Sequence, residues 1–300
     1  MSAQEILIVG CGDIGSRTAR RLLAENHKVY GARRNPQNLP EGVQPVTLDV
    51  ADPESWQALS DQSPALKPDY IIYSVAAGGF SEEFYQSAYQ EGVKQMLRWL
   101  KKSKQSPRHI LFVSSTSVYG QTEGETVDES TKPHPSGFAG SIMLKAEEAL
   151  RKSGLNHSCV RFSGIYGPGR DMLIRQVRQG RIAPEVPVKY TNRIHSEDCA
   201  GVLAHLIGMV EAGKTPEPVY LATDKGSVPL FEVMSWMADV LQVTPTETVE
   251  SPTRRRTSKV CDNSLLLSTG YEFTYPTYRD GYREALQEVK AQIKAEAEQS

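Results

Sequence analysis

The sequence predicts an α/β protein: a doubly wound parallel sheet in the N-terminal half, followed by a smaller α/β C-terminal region. Three observations lead there. Short apolar runs alternate with helical stretches through the first half, the rhythm of βαβ units. The runs are near-continuously apolar, as strands covered on both faces must be. The first run ends in Gly10-Cys11-Gly12-Asp13-Ile14-Gly15, a glycine loop that opens at once into a helical stretch.

The strand candidates, in order, are Ile6 to Val9, Lys28 to Gly31, Pro45 to Leu48, Tyr70 to Ser74, Ile110 to Ser114 and Ser158 to Phe162. Helices are expected between them over Ile14 to Glu25, Phe84 to Lys102 and Ser141 to Lys152. The middle helix has an apolar stripe through Phe84, Ala88, Met96 and Leu100, and lysines in its last turn, where they oppose the helix dipole. Beyond Gly169 the rhythm weakens. Helices are expected over Asp198 to Glu211, Leu230 to Leu241 and Arg279 to Glu298, with a strand at Pro218 to Ala222. Pro184, Pro187, Pro216, Pro218, Pro245 and Pro252 cut this half into short pieces. The expected division is residues 1–168 for the sheet domain and 169–300 for the smaller region, part of which, near 195–222, returns to the sheet.

Composition narrows the function. A formal charge of −2 gives no electrostatic case for nucleic acid or a membrane surface, and no apolar run approaches the ~18–20 residues of a membrane span. Cys11, Cys159, Cys199 and Cys261 are scattered, with no metal-ligand spacing. The opening residues run straight into the first strand without a basic leader. A cytoplasmic, metal-free protein acting on a small molecule is expected.

The glycine loop has the context that a dinucleotide site requires on both sides. Gly10 permits the tight turn, Gly12 lets the backbone approach a pyrophosphate, and Gly15 allows the helix to pack on the strand. The N–H groups of Asp13, Ile14 and Gly15 then face the anion. The second strand selects the cofactor. An NAD site usually carries an acid roughly 20 residues beyond the loop, but this region reads Tyr30-Gly31-Ala32-Arg33-Arg34. A carboxylate would repel a 2′-phosphate, whereas Arg33 and Arg34 can clamp one. NADP is the expected cofactor, with NAD the alternative.

Six motifs in order carry a family resemblance. They are Gly12-Asp13-Ile14-Gly15-Ser16, Leu48-Asp49-Val50, Asp69-Tyr70-Ile71-Ile72 with Ala76-Ala77, and Ser114-Ser115-Thr116-Ser117-Val118-Tyr119-Gly120. Arg161 with Gly164-Ile165-Tyr166-Gly167-Pro168-Gly169-Arg170, and Arg193-Ile194-His195 with Asp198, complete the set. Together they resemble the extended short-chain dehydrogenase/reductase superfamily, and within it the NAD-dependent epimerase/dehydratase family, whose sheet is of the Rossmann type. The resemblance implies that Asp49 and Val50 lie against the adenine, and that Ala76, Ala77 and Ser114 line the cofactor's path. It implies too that Ser163, Gly164 and Ile165 lie near the nicotinamide, and that the C-terminal region holds the substrate.

Two departures bear on chemistry. The loop has the short Gly10-x-Gly12 spacing, and the family's Tyr-x-x-x-Lys aligns with Ser141-Ile142-Met143-Leu144-Lys145. The family's helix-four asparagine is also missing, with Glu91-Gly92-Val93 in its place. These features resemble an atypical branch that lacks much of the usual catalytic set. Lys145 is still expected to hold the nicotinamide ribose and Ser115 to donate to a substrate oxygen, with Ser141 in the proton-carrying position. A serine is a far weaker acid than tyrosine, whose reference pKa is about 10. His195 is suited to acid–base work, or is a hydrogen-bonded structural histidine. Arg255, within Arg254-Arg255-Arg256, falls where nucleotide-sugar members carry a diphosphate-binding arginine. With Arg170 and Arg193 it would select an anionic or nucleotide-sugar-like substrate. Two functions stay open: an NADP-dependent oxidoreductase or epimerase-like enzyme, and a catalytically reduced NADP-binding sensor. Family dimers pair through the helices around Phe84 to Leu100 and Ser141 to Lys152, so a homodimer is a further expectation.

Overall fold

Ile6, Leu7, Ile8 and Val9 are all fully buried, as are Tyr70, Ile71 and Ile72. Runs without a solvent face are what a strand between two others becomes when helices cover both sides. The computed structural model describes residues 3–61, 65–249 and 258–298. Its main sheet contains β1 (Glu5–Val9), β2 (Lys28–Arg33), β3 (Gln44–Thr47), β4 (Tyr70–Tyr73) and β5 (His109–Ser115). After β6 (Glu125–Val127), which lies elsewhere, come β7 (His157–Phe162) and, further along the chain, β12 (Val219–Ala222). The order β12-β7-β5-β4-β1-β2-β3 is a parallel, doubly wound Rossmann-type sheet. Strand order reverses between β1 and β4, the point where such sheets open a crevice at their C-terminal ends.

The chain forms two compact units, of residues 1–119, 133–162 and 199–220, and of residues 120–132, 163–198 and 221–300. In the first, α1 (Asp13–Ala24) buries Ile14, Gly15, Thr18, Ala19 and Leu22, a single helical stripe. Helix α2 (Pro53–Asp61) begins on a proline, whose missing N–H costs nothing in the first turn. Its Trp56 packs on Trp99 at 5.4 Å between ring centroids. The helix expected over Phe84 to Lys102 is interrupted. It consists of α3 (Glu82–Tyr85), a π-helical turn over Gln86–Glu91, and α4 (Gly92–Lys102).

The interruption has a local cause. A π-turn leaves a carbonyl without its usual i+4 donor, and here the buried Tyr73 hydroxyl donates to Ala88 O at 2.5 Å. A β-carbon on Gly92 would overlap that hydroxyl, so only glycine leaves room for it. Helix α5 (Phe138–Ser153) ends at Gly154 with φ 73°, a left-handed C-terminal cap.

The second unit is made of short pieces, as its prolines dictate. Strand β6 pairs with β15 (Lys259–Cys261), β8 (Gly164–Tyr166) with β11 (Arg193–His195), and β9 (Arg181–Ile182) with β14 (Glu247–Thr248), all in parallel. Strands β10 (Tyr190–Thr191) and β13 (Val228–Pro229) are antiparallel. Helices α6 (Met172–Arg178), α8 (Leu230–Leu241) and α10 (Tyr278–Glu298) enclose a core that includes Val177, Val233, Met237, Tyr282 and Leu286. Helix α7 (Ser196–Glu211) passes from one unit to the other, and α9 (Ser264–Ser268) follows β15. No helix among the described residues is long and apolar enough to cross a membrane.

Candidate dinucleotide site

The crevice between β1 and β4 is built from glycine. Gly10 has φ +85°, and a β-carbon there would stand 2.5 Å from Val75 Cα. The glycine loop and the chain leaving β4 are therefore in backbone contact, locked further by the Ser74 hydroxyl donating to Gly10 O. A β-carbon on Gly15 would strike Gly10 O at 2.8 Å, so α1 can approach the turn only without one. Gly12 differs: nothing lies within 4 Å of its β-carbon position. That open face, at the N-terminus of α1, has the geometry that lets a pyrophosphate reach backbone N–H groups.

No side chain caps the N-terminus of α1, so its first donors remain for an anion. Asp13 would oppose a phosphate, but its carboxylate is paired with Arg17 at 2.8 Å. Burial pushes the Cys11 thiol up from its ordinary range, which keeps negative charge out of the loop. At the end of β2, Arg33 is half-buried and Arg34 exposed, and neither makes an ion pair among the described residues. Asp49 and Val50 follow β3, both half-buried, with Asp49 accepting from Ala51 N and Val50 O bound by the Trp56 indole. Ala76 and Ala77 continue the chain leaving β4, Ala76 exposed and Ala77 half-buried.

Helix α5 carries the expected catalytic pair on one side and its packing face on the other. It buries Gly140, Ile142, Met143, Ala146, Glu147 and Leu150. Ser141 and Lys145 each lie two residues from Met143, about 200° around the helix in either direction. The two therefore share the uncovered face, as their i, i+4 spacing requires. Lys145 is exposed and makes no ion pair among the described residues, which leaves its ammonium available. The Ser141 hydroxyl is not so free, because it donates back to Gly137 O at 3.0 Å.

What fixes the helix in this rotation is a buried network that the sequence reading missed. Glu147 accepts from Arg161 through both oxygens, at 3.0 and 2.6 Å, and from the Ser114 hydroxyl at 2.5 Å. Arg161 also donates to the Tyr119 hydroxyl. The Ser114 hydroxyl, in a residue expected along the cofactor's path, is thus held by Glu147. Gly140 presses on Ser117 O, which a β-carbon would overlap. Ser115 keeps its place at the end of β5, half-buried, with its oxygen accepting from Ser117 N.

The remaining candidates belong to the second unit. The Ser163 hydroxyl donates to Thr223, Gly164 is exposed in β8, and Ile165 is half-buried beside it. Arg170 is half-buried on the following turn. Arg193 and His195 are both interior, at 1% and 3% exposure. Arg193 donates to Thr191 and lies over the Tyr278 ring, while His195 packs between Tyr166 and Tyr275 and accepts from Glu197 N. One guanidinium nitrogen of Arg193, Nη1, is buried with no hydrogen-bond partner among the described residues. Arg255 lies outside the described residues.

Comparison with known proteins agrees with the geometry. The model of the NAD-dependent epimerase/dehydratase family matches residues 6–222. The chain belongs to that family. Among solved structures, a Methylobacillus flagellatus protein described as an NAD-dependent epimerase/dehydratase is 34% identical, with a TM-score of 0.78 over 96% of this chain and 100% of that one. Protein YeeZ of Escherichia coli K12 is 27% identical over 284 residues, 91% of this chain and 97% of YeeZ. The epimerase/dehydratase fold recurs in a UDP-glucose 4-epimerase of Thermus thermophilus, solved with NAD, at 19% identity and a TM-score of 0.76 over 94% and 98% of the two chains. As a member of this family, the chain has an NAD(P)-binding fold of an enzyme superfamily.

Proposed function

We propose that the chain binds NADP(H) in the β1–β4 crevice and is an oxidoreductase that keeps the family's ribose-holding lysine but not its tyrosine. Support for NADP rests on one observation: Arg33 and Arg34 stand at the end of β2 without ion-pair partners among the described residues and without a neighbouring acid. A 2′-phosphate meets two free guanidinium groups there and no repulsion. The glycine loop supports the pyrophosphate, through the open face of Gly12 and the uncapped start of α1. The free ammonium of Lys145 is the group suited to the nicotinamide ribose. The bound nicotinamide would supply the hydride, and the chain's residues would orient it and its substrate.

Ser115, at the C-terminal end of β5, is the polar group best placed to hold a substrate oxygen. A second reading, a binding protein without turnover, is favoured by Ser141, whose proton is already engaged by Gly137 O. Calorimetry of NADP⁺ and NAD⁺ against the wild type and Arg33→Ala/Arg34→Ala tests the cofactor reading. NADP⁺ affinity should fall at least tenfold in the variant while NAD⁺ affinity holds. Equal binding of both cofactors, unmoved by the substitutions, would refute it. Single-turnover oxidation of bound NADPH by a carbonyl panel separates the enzyme from the binding protein.

A further inference from the structure

We propose that the aromatic cluster of Phe80, Tyr85 and Phe138 is the seat of a neutral, planar aromatic carbonyl compound, with the Tyr85 phenol donating to its carbonyl oxygen. This deepens the oxidoreductase reading and rests on it. Phe80 is 79% exposed and Phe84 50%, large rings that folding would otherwise bury. Phe80 lies 5.1 Å from Phe138 and 5.8 Å edge-on from Tyr85, and Tyr85 meets Phe138 edge-on at 5.5 Å. The three rings form one surface contributed by two separate chain segments.

The loop is shaped to present it. β-Carbons on Gly78 and Gly79 would stand 3.3 and 3.0 Å from the Phe84 ring, so the glycine pair lies flat on that ring and carries Phe80 outward. The same loop begins at Val75 and Ala77. Val75 is in contact with the glycine turn, and Ala77 N donates to the Tyr89 hydroxyl, whose ring packs on Tyr85 at 5.2 Å. The loop side of the cluster is thus continuous with the proposed cofactor crevice, at the C-terminal end of β4, where open α/β sheets place ligands.

Chemistry selects the occupant. The only formal charges between Gly78 and Gln90 are Glu82 and Glu83, both exposed. This segment of the seat carries only negative charge, and a neutral ligand meets no repulsion from it. Exposed ring faces and edges favour another ring, since aromatic pairs gain beyond area burial. The Tyr85 hydroxyl makes no hydrogen bond to any described residue, and a carbonyl oxygen is the acceptor that would satisfy it.

The test titrates 2-acetylnaphthalene by saturation-transfer NMR in the presence of NADP⁺, which has no hydride to give. Cyclohexyl methyl ketone and UDP-glucose are titrated in parallel. The aromatic ketone should bind at least tenfold more tightly than the cyclohexyl ketone, and Phe80→Ala and Phe138→Ala should each weaken it about tenfold. Tyr85→Phe keeps the ring and should weaken the ketone severalfold while leaving 2-ethylnaphthalene unchanged. NADP⁺ affinity of each variant, measured by calorimetry, should match the wild type, which also reports folding. Equal affinity for both ketones, indifference to Phe80 and Phe138, or tighter UDP-glucose binding would overturn the proposal. So would a Phe80→Ala variant that changes only the sedimentation coefficient, which would make the surface an interface between chains. A wild type that fails to bind NADP⁺ instead sinks the cofactor reading.

Discussion

Lys145→Ala should weaken NADP⁺ binding about tenfold. The ammonium stands on the uncovered face of α5 with no ion pair among the described residues, so a ribose hydroxyl competes with nothing for it. A hydrogen bond to a charged group is worth about 1.5–3 kcal/mol. Ordering a lysine side chain costs up to about 1.5–2 kcal/mol, which offsets part of that gain for a residue that starts exposed. With about half of that ordering cost falling on binding, a net loss of about 1.4 kcal/mol, or tenfold in affinity, remains. Ser141→Ala should change the dissociation constant by less than twofold, since its proton is engaged by Gly137 O. Neither substitution touches the bonds of Glu147 to Arg161 and Ser114 that hold the helix. Stability should therefore move by less than about 0.5 kcal/mol, as for exposed positions generally. Calorimetry measures the affinities and circular dichroism checks the fold. A folded Lys145→Ala protein that binds NADP⁺ within twofold of the wild type would refute the role given to this lysine.

Two further outcomes follow from the buried charges. Glu147→Gln keeps the shape but strands the Arg161 guanidinium, which is 4% exposed. Breaking a buried pair by removing one partner costs about 3–5 kcal/mol, so urea unfolding should show a loss of that order; a loss below about 1 kcal/mol would mean the network is not as described. Asp224 is 2% exposed, and burial raises its pKa from 3.8 to about 7. The folded state then keeps a proton that the unfolded chain releases, so wild-type stability should fall as pH rises from about 4 to 7. At about 1.4 kcal/mol for each step of one in pH, that span sets an upper bound of about 4 kcal/mol. Asp224→Asn should remove that slope and be the more stable protein above the folded pKa; parallel curves for the two proteins would contradict it.

How much of this was legible in the sequence depended on whether the deciding contact was local. The strands Ile6 to Val9 and Tyr70 to Tyr73 could be read because burial on both faces leaves an unbroken apolar run. The glycine turn could be read because its glycines fall in one short run between a strand and a helix, although the contact of Gly10 with Val75 could not. The pairing of Ser141 with Lys145 followed from their spacing, but spacing does not say which face of the helix is covered. That choice was made by Glu147, which looks like a surface charge until Arg161, fourteen residues on, is folded against it. Arg193 and His195 stand out in the sequence as part of a motif, but nothing local says that the strand carrying them is interior. The aromatic seat was hidden for the opposite reason: Phe80 and Phe138 are far apart in the chain and meet only where the start of α5 packs against the segment around Tyr85.

The π-turn after Tyr85 has an implication for how this protein could change. Such a turn is a helix that has taken in one residue and kept its anchoring. Beyond it, Val93, Met96, Trp99 and Leu100 remain buried, while the segment before it carries the rings around the proposed seat. Removing one residue between Gln86 and Glu91 would restore a plain helix and swing Tyr85 by about 100° relative to the anchored half. The two ends of this helix are therefore adjustable independently. Lineages can re-aim the ligand-facing end by a single-codon length change and leave the interior as it was.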